Sequence, residues 1–182
     1  MSNPPPPLLP GALRSDVRPD DAAAVREVVA STGFFHNFEI DVAVELVQER
    51  LGQGLASGYH FVFADDPHTQ MAVGYACFGQ IPCTAGSFDL YWIAVHDRWR
   101  GRGLGTRLMS EAERAMAAGV PDESGRGLAV ARRVYVETSS TLRYEPTRQF
   151  YVRCGYAQEA RLQNFYAEGD DKLVLVKVLN PR

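Results

Sequence analysis

The sequence has few of the residues that define disulfide-rich or metal-binding proteins. Its three cysteines, Cys77, Cys83 and Cys154, are odd in number and lack C-x-x-C spacing. This pattern argues against a disulfide framework and indicates free thiols in a reducing compartment. The four histidines are scattered without the spacing of ligands, so we expect no metal site.

Basic charge and long apolar runs are also scarce. The 182 residues carry 22 acidic side chains against 19 Lys and Arg, which gives a formal net charge of −3. Such a chain is not suited to nonspecific binding of nucleic acid or anionic membranes. No apolar run approaches the roughly 18 residues that span a bilayer, and no basic segment followed by an apolar stretch opens the chain. We therefore expect a cytoplasmic protein with no nucleic-acid or membrane partner.

The composition is that of a globular protein with one sizeable core. Apolar residues make up 46% of the chain, which is ordinary for a single domain of this length. The prolines Pro4 to Pro7 and Pro10 predict a flexible Pro-rich lead-in over residues 1–12. We expect a single domain over residues 13–182.

Hydrophobic periodicity predicts eleven elements in the order β-α-α-β-β-β-α-β-α-β-β. Three consecutive strands in the middle of this order do not fit a doubly wound sheet. The order instead predicts an α/β protein with a mixed sheet. The predicted elements are Leu13–Val17, Asp21–Ser31, Glu39–Leu51, Tyr59–Ala64, Met71–Gly79, Phe88–Val95, Thr106–Gly119, Ala129–Thr138, Pro146–Cys154, Tyr156–Leu162 and Leu173–Leu179.

The most informative segment is Arg100-Gly101-Arg102-Gly103-Leu104-Gly105, between a predicted strand and a predicted helix. Glycines let the backbone approach an anion, and the first N–H groups of a helix have no intrahelical partner. The helix dipole and the guanidinium groups of Arg100 and Arg102 add positive potential. A strand, a basic glycine loop and a helix in this order predict a pyrophosphate-binding site.

Three kinds of anion site begin with such a loop. A dinucleotide fold needs G-x-G-x-x-G, whereas Gly101, Gly103 and Gly105 give G-x-G-x-G after strands that form a meander. A nucleotide P-loop needs a Gly-Lys pair, which the loop lacks. Coenzyme A is the third candidate.

The sequence here resembles the GNAT superfamily of N-acetyltransferases. Arg100-x-x-Gly103-x-Gly105 is similar to the family signature (Gln/Arg)-x-x-Gly-x-(Gly/Ala), and Ile93-Ala94-Val95 looks like the strand that enters it. Phe150-Tyr151-x-x-Cys154-Gly155-Tyr156 looks like the late FYxxxGF segment. The resemblance covers roughly residues 13–179. It implies a single-domain acyltransferase fold, in which a largely antiparallel mixed sheet flanked by helices splays between two parallel strands.

The resemblance implies acetyl-CoA as the co-substrate. Ile93, Ala94 and Val95 would lie along the pantetheine, and the N–H of Val95 or a neighbour would polarise the thioester carbonyl. Many relatives carry an asparagine where this chain has Tyr144, so Thr147 or Arg148 is expected to supply that polar contact. Pyrophosphate contacts are expected from Arg100, Gly101, Arg102, Gly103, Leu104, Gly105 and Thr106.

Acetyl transfer needs a neutral amine and a proton source for the leaving thiolate. The resemblance places Tyr151 near the sulfur of CoA, and a phenol with a pKa near 10 is a proton donor at neutral pH. Glu137 is the expected base, because some protein N-terminal acetyltransferases carry a glutamate at this point. Asp89 on the neighbouring strand is the alternative base.

The residues expected around the acceptor are aromatic or acidic. Aromatic faces together with carboxylates favour a cationic amine with an apolar body. The segment Asn164–Asp171 looks like a hairpin that lines the acceptor site in N-terminal acetyltransferases. The expected substrate-binding residues are Phe34, Phe35, Asp89, Tyr91, Glu137 and Tyr166.

Together these features predict an acetyl-CoA-dependent N-acetyltransferase in which a primary amine attacks directly in a ternary complex. A small cationic amine or an amino acid is the first choice of acceptor. A protein N-terminus or a lysine is the alternative acceptor, and a non-catalytic acyl-CoA-binding module is the alternative to an enzyme. Family members are often dimers, so the resemblance also leaves a homodimer open.

Overall fold

The computed structural model describes residues 13–179, and the predicted lead-in of residues 1–12 lies outside this range. Between residues 13 and 179 the chain forms nine strands and four α-helices. The strands are β1 Leu13–Arg14, β2 His60–Asp65, β3 Ala72–Gln80, β4 Ser87–Val95, β5 Val120–Pro121, β6 Leu128–Ala129, β7 Arg133–Ser139, β8 Ala157–Ala167 and β9 Asp170–Val178. The helices are α1 Asp21–Ser31, α2 Asn37–Gln53, α3 Leu104–Ala118 and α4 Glu145–Arg153.

Seven of these strands form one sheet in the order β1-β2-β3-β4-β7-β9-β8. Strands β4 and β7 are parallel, and all other neighbours in this sheet are antiparallel. The parallel pair runs only from Ser87–Arg133 to Asp89–Tyr135, so the two strands diverge beyond that point. We call the opening between them the gap. The predicted mixed, largely antiparallel sheet that splays between two parallel strands is confirmed.

Two apolar cores lie on opposite faces of the sheet. Helix α3 packs on one face through the buried side chains of Leu104, Leu108 and Met116, and Tyr151 of α4 belongs to the same cluster. Helices α1 and α2 cover β2 to β4 on the other face. None of the helices between residues 13 and 179 is long and apolar enough to cross a membrane.

Several boundaries differ from the prediction. Strand β1 ends at Arg14 rather than Val17. Helix α3 begins at Leu104 rather than Thr106, because Gly103 at φ +75 acts as its N-cap residue. Residues 122–127, which fall between the predicted elements, are flanked by the paired strands β5 and β6.

The last hairpin is longer than predicted, since β8 and β9 continue through most of the expected loop Asn164–Asp171. Strand β8 bulges at this point, and Asn164 adopts φ +52. The N–H of Asn164 donates to the buried carboxylate of Asp171 at 2.7 Å. This hydrogen bond takes the place of the backbone hydrogen bond that a paired strand residue would make. The hairpin therefore reaches Ala167 before it turns.

Candidate active site

Strand β4 forms one wall of the gap. The N–H of His96, just after the strand, donates to the carbonyl of Val73 at 2.9 Å, so it points towards β3. Successive residues of a strand direct their backbone groups to alternate sides. The N–H and C=O groups of Ile93 and Val95 therefore point away from β3 and into the gap. The structure brings these two expected pantetheine contacts to the same wall.

The side chains of Ala94 and Phe35 pack in the core under α1 and α2. Ala94 pairs with Tyr75 of β3, and its side chain is buried in the core under α1 and α2. The ring of Phe35 packs at 4.8 Å from that of Trp92, at the edge of the same core. The side chain of Ala94 is thus turned away from the gap, and the ring of Phe35 is engaged with Trp92.

Gly101 and Gly103 shape the loop between β4 and α3. Their φ angles are +72 and +75, in the left-handed region that favours glycine. A Cβ built on either residue would meet nothing within 4 Å, so space lies open beside the backbone. Gly105 differs, because its Cβ would lie 3.4 Å from the ring of Phe150, where α3 and α4 meet.

The same loop exposes a run of unused hydrogen-bond donors. Among residues 13–179, no acceptor takes a hydrogen bond from the six consecutive N–H groups of Gly101 to Thr106. Leu104, whose side chain is buried, contributes only its backbone to this run. Six N–H groups at the positive end of α3, beside open space, fit a diphosphate group. The donor set therefore suits the pyrophosphate of coenzyme A.

The two loop arginines take different positions. The Nε of Arg100 donates to the carbonyl of Val95 at 3.4 Å, and its Cζ lies 5.7 Å from the ring centroid of Phe34. Arg100 thus spans the mouth of the gap. The Cζ of Arg102 lies 5.1 Å from the ring centroid of Trp99, next to the loop itself.

Tyr151 lies on the α3 side of the sheet, in the cluster that also contains the side chains of Ile93 and Val95. Burial raises the pKa of its phenol well above the usual value near 10. Its hydroxyl makes no hydrogen bond to any residue between 13 and 179. This group stays protonated at neutral pH and has its proton available for a ligand.

Thr147 is one helical turn before Tyr151, so the two side chains share a face of α4. Arg148, the other residue expected to replace the missing asparagine, is already engaged. It donates to the carbonyls of Ser139 and Thr141 at 2.7 and 2.8 Å. Arg148 therefore holds the chain that leaves β7, which leaves Thr147 as the candidate for the polar contact with the co-substrate.

Asp89 and Glu137 lie on the opposite face of the sheet from Tyr151. The two neighbours of Asp89 in β4 are buried against α3, as is Val136 next to Glu137 in β7. Because side chains alternate along a strand, both carboxylates point to the α1 and α2 side. The candidate acid and the candidate bases thus stand on opposite sides of the gap.

The two carboxylates have different neighbours. Burial and the nearby charge of Glu137 raise the pKa of Asp89 to about 6, although Lys172 opposes the shift. The Oε2 of Glu137 forms an ion pair with Lys172 at 2.5 Å. Glu137 is thus engaged by the chain itself, whereas Asp89 is a carboxyl group that titrates near neutral pH.

Aromatic side chains gather around these carboxylates. The rings of Phe34 and Tyr144 meet edge to face with centroids 6.0 Å apart. Burial and the charges of Glu137 and Asp170 raise the pKa of Tyr166 to about 12. We call this region the acceptor cleft and define it by Phe34, Asp89, Glu137, Tyr144 and Tyr166.

Tyr91 stands at the edge of this region. It is the extra residue of a β-bulge, because Trp92 pairs with Cys77 while Leu90 pairs with Phe78. Its ring meets Tyr59 edge to face at 5.4 Å and makes no ring contact with the aromatic residues of the acceptor cleft. The carboxylate of Asp89 is still near enough to help raise its pKa.

Sequence reasoning missed two residues of the site. Lys172, which pairs with Glu137, also lies 4.0 Å from the ring centroid of Phe165. Both positions depend on the register of β9 against β7 and β8, which no local pattern encodes. Within residues 13–179 no group of three His, Cys, Asp or Glu side chains is arranged to hold a metal ion.

Comparison with known proteins agrees with this geometry. The family model of the GNAT acetyltransferase domain matches residues 56–158. The crystal structure of a GNAT-family protein from Desulfovibrio desulfuricans is 46% identical, has a TM-score of 0.81, and aligns over 92% of this chain and 98% of that chain. The chain therefore belongs to the GNAT family of acetyltransferases and is an acyltransferase, as the sequence predicted.

More distant structures share the fold alone. The aminoglycoside 6'-N-acetyltransferase from Enterococcus faecium is 18% identical with a TM-score of 0.67, over 94% of this chain and 99% of that chain. Arabidopsis thaliana NAA60 in complex with acetyl-CoA is 18% identical with a TM-score of 0.65, over 93% and 98%. No protein with a curated description matches the chain.

Proposed function

We propose that the protein transfers the acetyl group of acetyl-CoA to a primary amine by direct attack in a ternary complex. The observation that carries the proposal is the gap between β4 and β7. It has six unused N–H donors at its mouth, a protonated Tyr151 on one face and the titratable Asp89 on the other. An acid and a base on opposite sides of one opening suit a reaction in which two protons move.

The chain's own groups would bind the co-substrate in two places. The N–H groups of Gly101 to Thr106 would hold the pyrophosphate, and the backbone groups of Ile93 and Val95 would pair with the pantetheine as an added strand would. The N–H of Val95 would then donate to the thioester carbonyl and stabilise negative charge on its oxygen. The co-substrate of this family, acetyl-CoA, has the required diphosphate, amides and thioester.

The proton transfers follow from the two pKa values. Asp89, with a pKa of about 6, is ionised at neutral pH and takes a proton from the attacking amine. The nitrogen bonds to the acetyl carbon, the C–S bond breaks, and Tyr151 donates its proton to the sulfur. Glu137, the base favoured by the sequence, is the alternative through a bridging water, but its carboxylate is already engaged in the ion pair with Lys172.

Replacement of Asp89 by Asn is expected to lower kcat/KM by roughly 10²-fold or more and to remove the acidic limb of its pH profile near pH 6.

The same replacement of Asp89 by Asn should stabilise the fold at neutral pH. Folding raises the pKa of Asp89 from 3.8 to about 6. Between these two pH values the native state binds more protons than the unfolded state, so the stability of the fold falls as the pH rises from one to the other. Removal of the charge should therefore stabilise the fold at pH 7 by about 1–2 kcal/mol, less than the full shift implies because solvent screens this half-exposed group.

The matched control for that experiment is Glu137→Gln, measured by steady-state kinetics and urea unfolding at about pH 5 and 7. We expect a smaller loss of kcat/KM in this variant, because the carboxylate of Glu137 is held by Lys172. A larger loss in Glu137→Gln than in Asp89→Asn would reassign the base to Glu137.

A small-molecule amine or an amino acid is the proposed acceptor. The cleft has aromatic walls and carries a carboxylate for the amine, which suits a small amine with an apolar body. A protein N-terminus or a lysine is the second candidate, and the exposed rings of Phe165 and Tyr166 on the β8–β9 hairpin favour it. Thiol release from acetyl-CoA with small amines, and then with short peptides, separates the two.

We also propose that the protein acts in the cytoplasm as a homodimer of single-domain chains, without nucleic-acid or membrane partners. Three free cysteines suit a reducing compartment, and the net charge of −3 disfavours nucleic acid. All eleven residues of β8 are exposed at the edge of the sheet, which a second copy would cover. Light scattering of the purified protein tests the dimer.

A further inference from the structure

The carboxylates around the acceptor cleft are mostly engaged by the chain itself. Glu137 pairs with Lys172 at 2.5 Å, and Asp170 accepts a hydrogen bond from the hydroxyl of Ser139 at 2.6 Å. Glu39, whose charge reaches Tyr144, accepts the N–H of His36 at 2.8 Å where α2 begins.

Asp89 differs from these three carboxylates. Among residues 13–179 it has neither an ion pair nor a hydrogen bond. The cleft therefore offers one uncommitted carboxylate, which is enough for one amino group of an acceptor.

Two guanidinium groups contact the same aromatic ring at the mouth of the cleft. The Cζ atoms of Arg143 and Arg100 lie 5.3 and 5.7 Å from the ring centroid of Phe34. The three residues come from different elements, since Arg100 follows β4, Arg143 follows β7 and Phe34 follows α1. They converge where the parallel strands diverge, which places two positive charges beside one aromatic wall.

Arg143 carries the less compensated of these charges. Arg100 lies 3.5 Å from the carboxylate of Asp97, whereas no carboxylate between residues 13 and 179 is within ion-pair distance of Arg143. Its one hydrogen bond to a residue in this range goes to the carbonyl of Gly33 at 2.5 Å, which leaves most of its donors for a ligand. A bound anion would supply the counter-charge that Arg143 lacks within this part of the chain.

We propose that Arg143 and Arg100 form an anion subsite for the acceptor, and that the acceptor is a monoamine that also bears a carboxylate, as an amino acid does. This inference rests on the proposed function and deepens it. Asp89 takes the amine, the aromatic walls take the body, and the guanidinium groups take the carboxylate. Polyamines and aminoglycosides fit poorly, because each further ammonium group meets an arginine instead of a free carboxylate.

The position of the subsite favours the acceptor over coenzyme A as the source of the anion. Phe34, the ring that both arginines contact, meets Tyr144 on the α1 and α2 side of the sheet. The glycine loop has its own donors for the phosphates of the co-substrate, in the N–H groups of Gly101 to Thr106. Arg143 therefore belongs to the wall that an acceptor would touch.

The test compares the common L-amino acids with their amides and their decarboxylated amines, by thiol release from acetyl-CoA. We expect kcat/KM to be roughly 10- to 100-fold higher for the acids, since a hydrogen bond to a charged group is worth about 1.5–3 kcal/mol. In Arg143→Gln the ratio of kcat/KM for the acid to kcat/KM for the amide should fall towards one, because KM for the acid rises. Arg114→Gln, an exposed arginine of α3 paired with Glu111, should keep the ratio.

Equal or better turnover of amides, diamines or aminoglycosides would overturn the proposed anion subsite. So would a rise in KM for acetyl-CoA alone in Arg143→Gln, which would assign the arginine to a phosphate of the co-substrate. If acetyl-CoA binds but no acceptor releases thiol, thermal unfolding of the CoA complex must still shift more with acids than with amides. Absence of acetyl-CoA binding would instead refute the proposed function.

Discussion

Replacement of Tyr151 by Phe is expected to lower kcat by roughly 10²–10⁴-fold while the affinity for acetyl-CoA stays nearly unchanged. The reason lies in the state of the hydroxyl. It is held protonated by burial and makes no hydrogen bond to a residue between 13 and 179, so its proton is available for the leaving thiolate. Loss of that single oxygen removes the proton source and leaves the aromatic packing in place.

Tyr156→Phe is the matched control for this experiment. Its ring packs 5.9 Å from that of Tyr151, and its hydroxyl contacts the sulfur of Met109 at 3.4 Å in the core. A purely structural contribution of a buried phenol in this cluster would appear in both variants. We expect single-turnover acetyl transfer to slow only in Tyr151→Phe. Unaltered kcat in that variant would remove Tyr151 from the chemistry.

Gly103→Glu is expected to abolish measurable binding of acetyl-CoA. The space beside this glycine is open, and the new side chain would place a carboxylate where the loop directs its N–H donors. A negative charge there opposes the positive end of α3, and bulk blocks the approach of a diphosphate. Isothermal titration with acetyl-CoA should show more than about 100-fold loss of affinity, equivalent to about 2.7 kcal/mol.

The chain offers a closely matched control in Gly169→Glu. Gly169 has φ +80, and a Cβ on it would meet nothing within 4 Å, as at Gly103 with φ +75. Both variants therefore carry the same backbone strain and the same added charge, but only one lies in the glycine loop. Thermal unfolding should be affected alike, whereas binding should be lost only in Gly103→Glu. Normal affinity in Gly103→Glu would contradict the pyrophosphate assignment.

The order of elements and the glycine loop could be predicted from the sequence because both are local. Apolar periodicity marks strands and helices, and glycines before a helix mark a loop in which positive φ is needed. The GNAT resemblance added the splayed sheet, which the early end of pairing between β4 and β7 confirms. Local patterns could not supply that feature, because it depends on two strands that are far apart in the chain.

The bulge at Tyr91 explains why alternation along β4 could not predict the site. Before the bulge, Asp89 faces α1 and α2; after it, Ala94 faces that side, and Ile93 and Val95 turn their side chains to α3. An unbroken period of two would have placed Asp89, Ile93 and Val95 on one face. An extra residue in one strand changes the face of every residue that follows.

The pKa of Asp89 and the pairing of Glu137 also lay beyond the sequence. The shift to about 6 depends on burial and on the approach of Glu137 across parallel strands. Lys172 reaches Glu137 from β9, a strand that lies beside β7 only because the sheet order departs from the chain order. The sequence could name both candidate bases. The fold distinguishes them, because Glu137 forms an ion pair with Lys172 and Asp89 forms none with a residue between 13 and 179.

Thiol release from acetyl-CoA, with and without amines and from about pH 7 to about pH 9, tests the central claim most directly. Small amines, amino acids, aminoglycosides and short peptides make up the panel. We predict saturable release that depends on the acceptor, is largest with amino acids, and is lost in Tyr151→Phe. Tight binding of acetyl-CoA with no acceptor-dependent release from any member of the panel would contradict the account and indicate a non-catalytic acyl-CoA-binding protein.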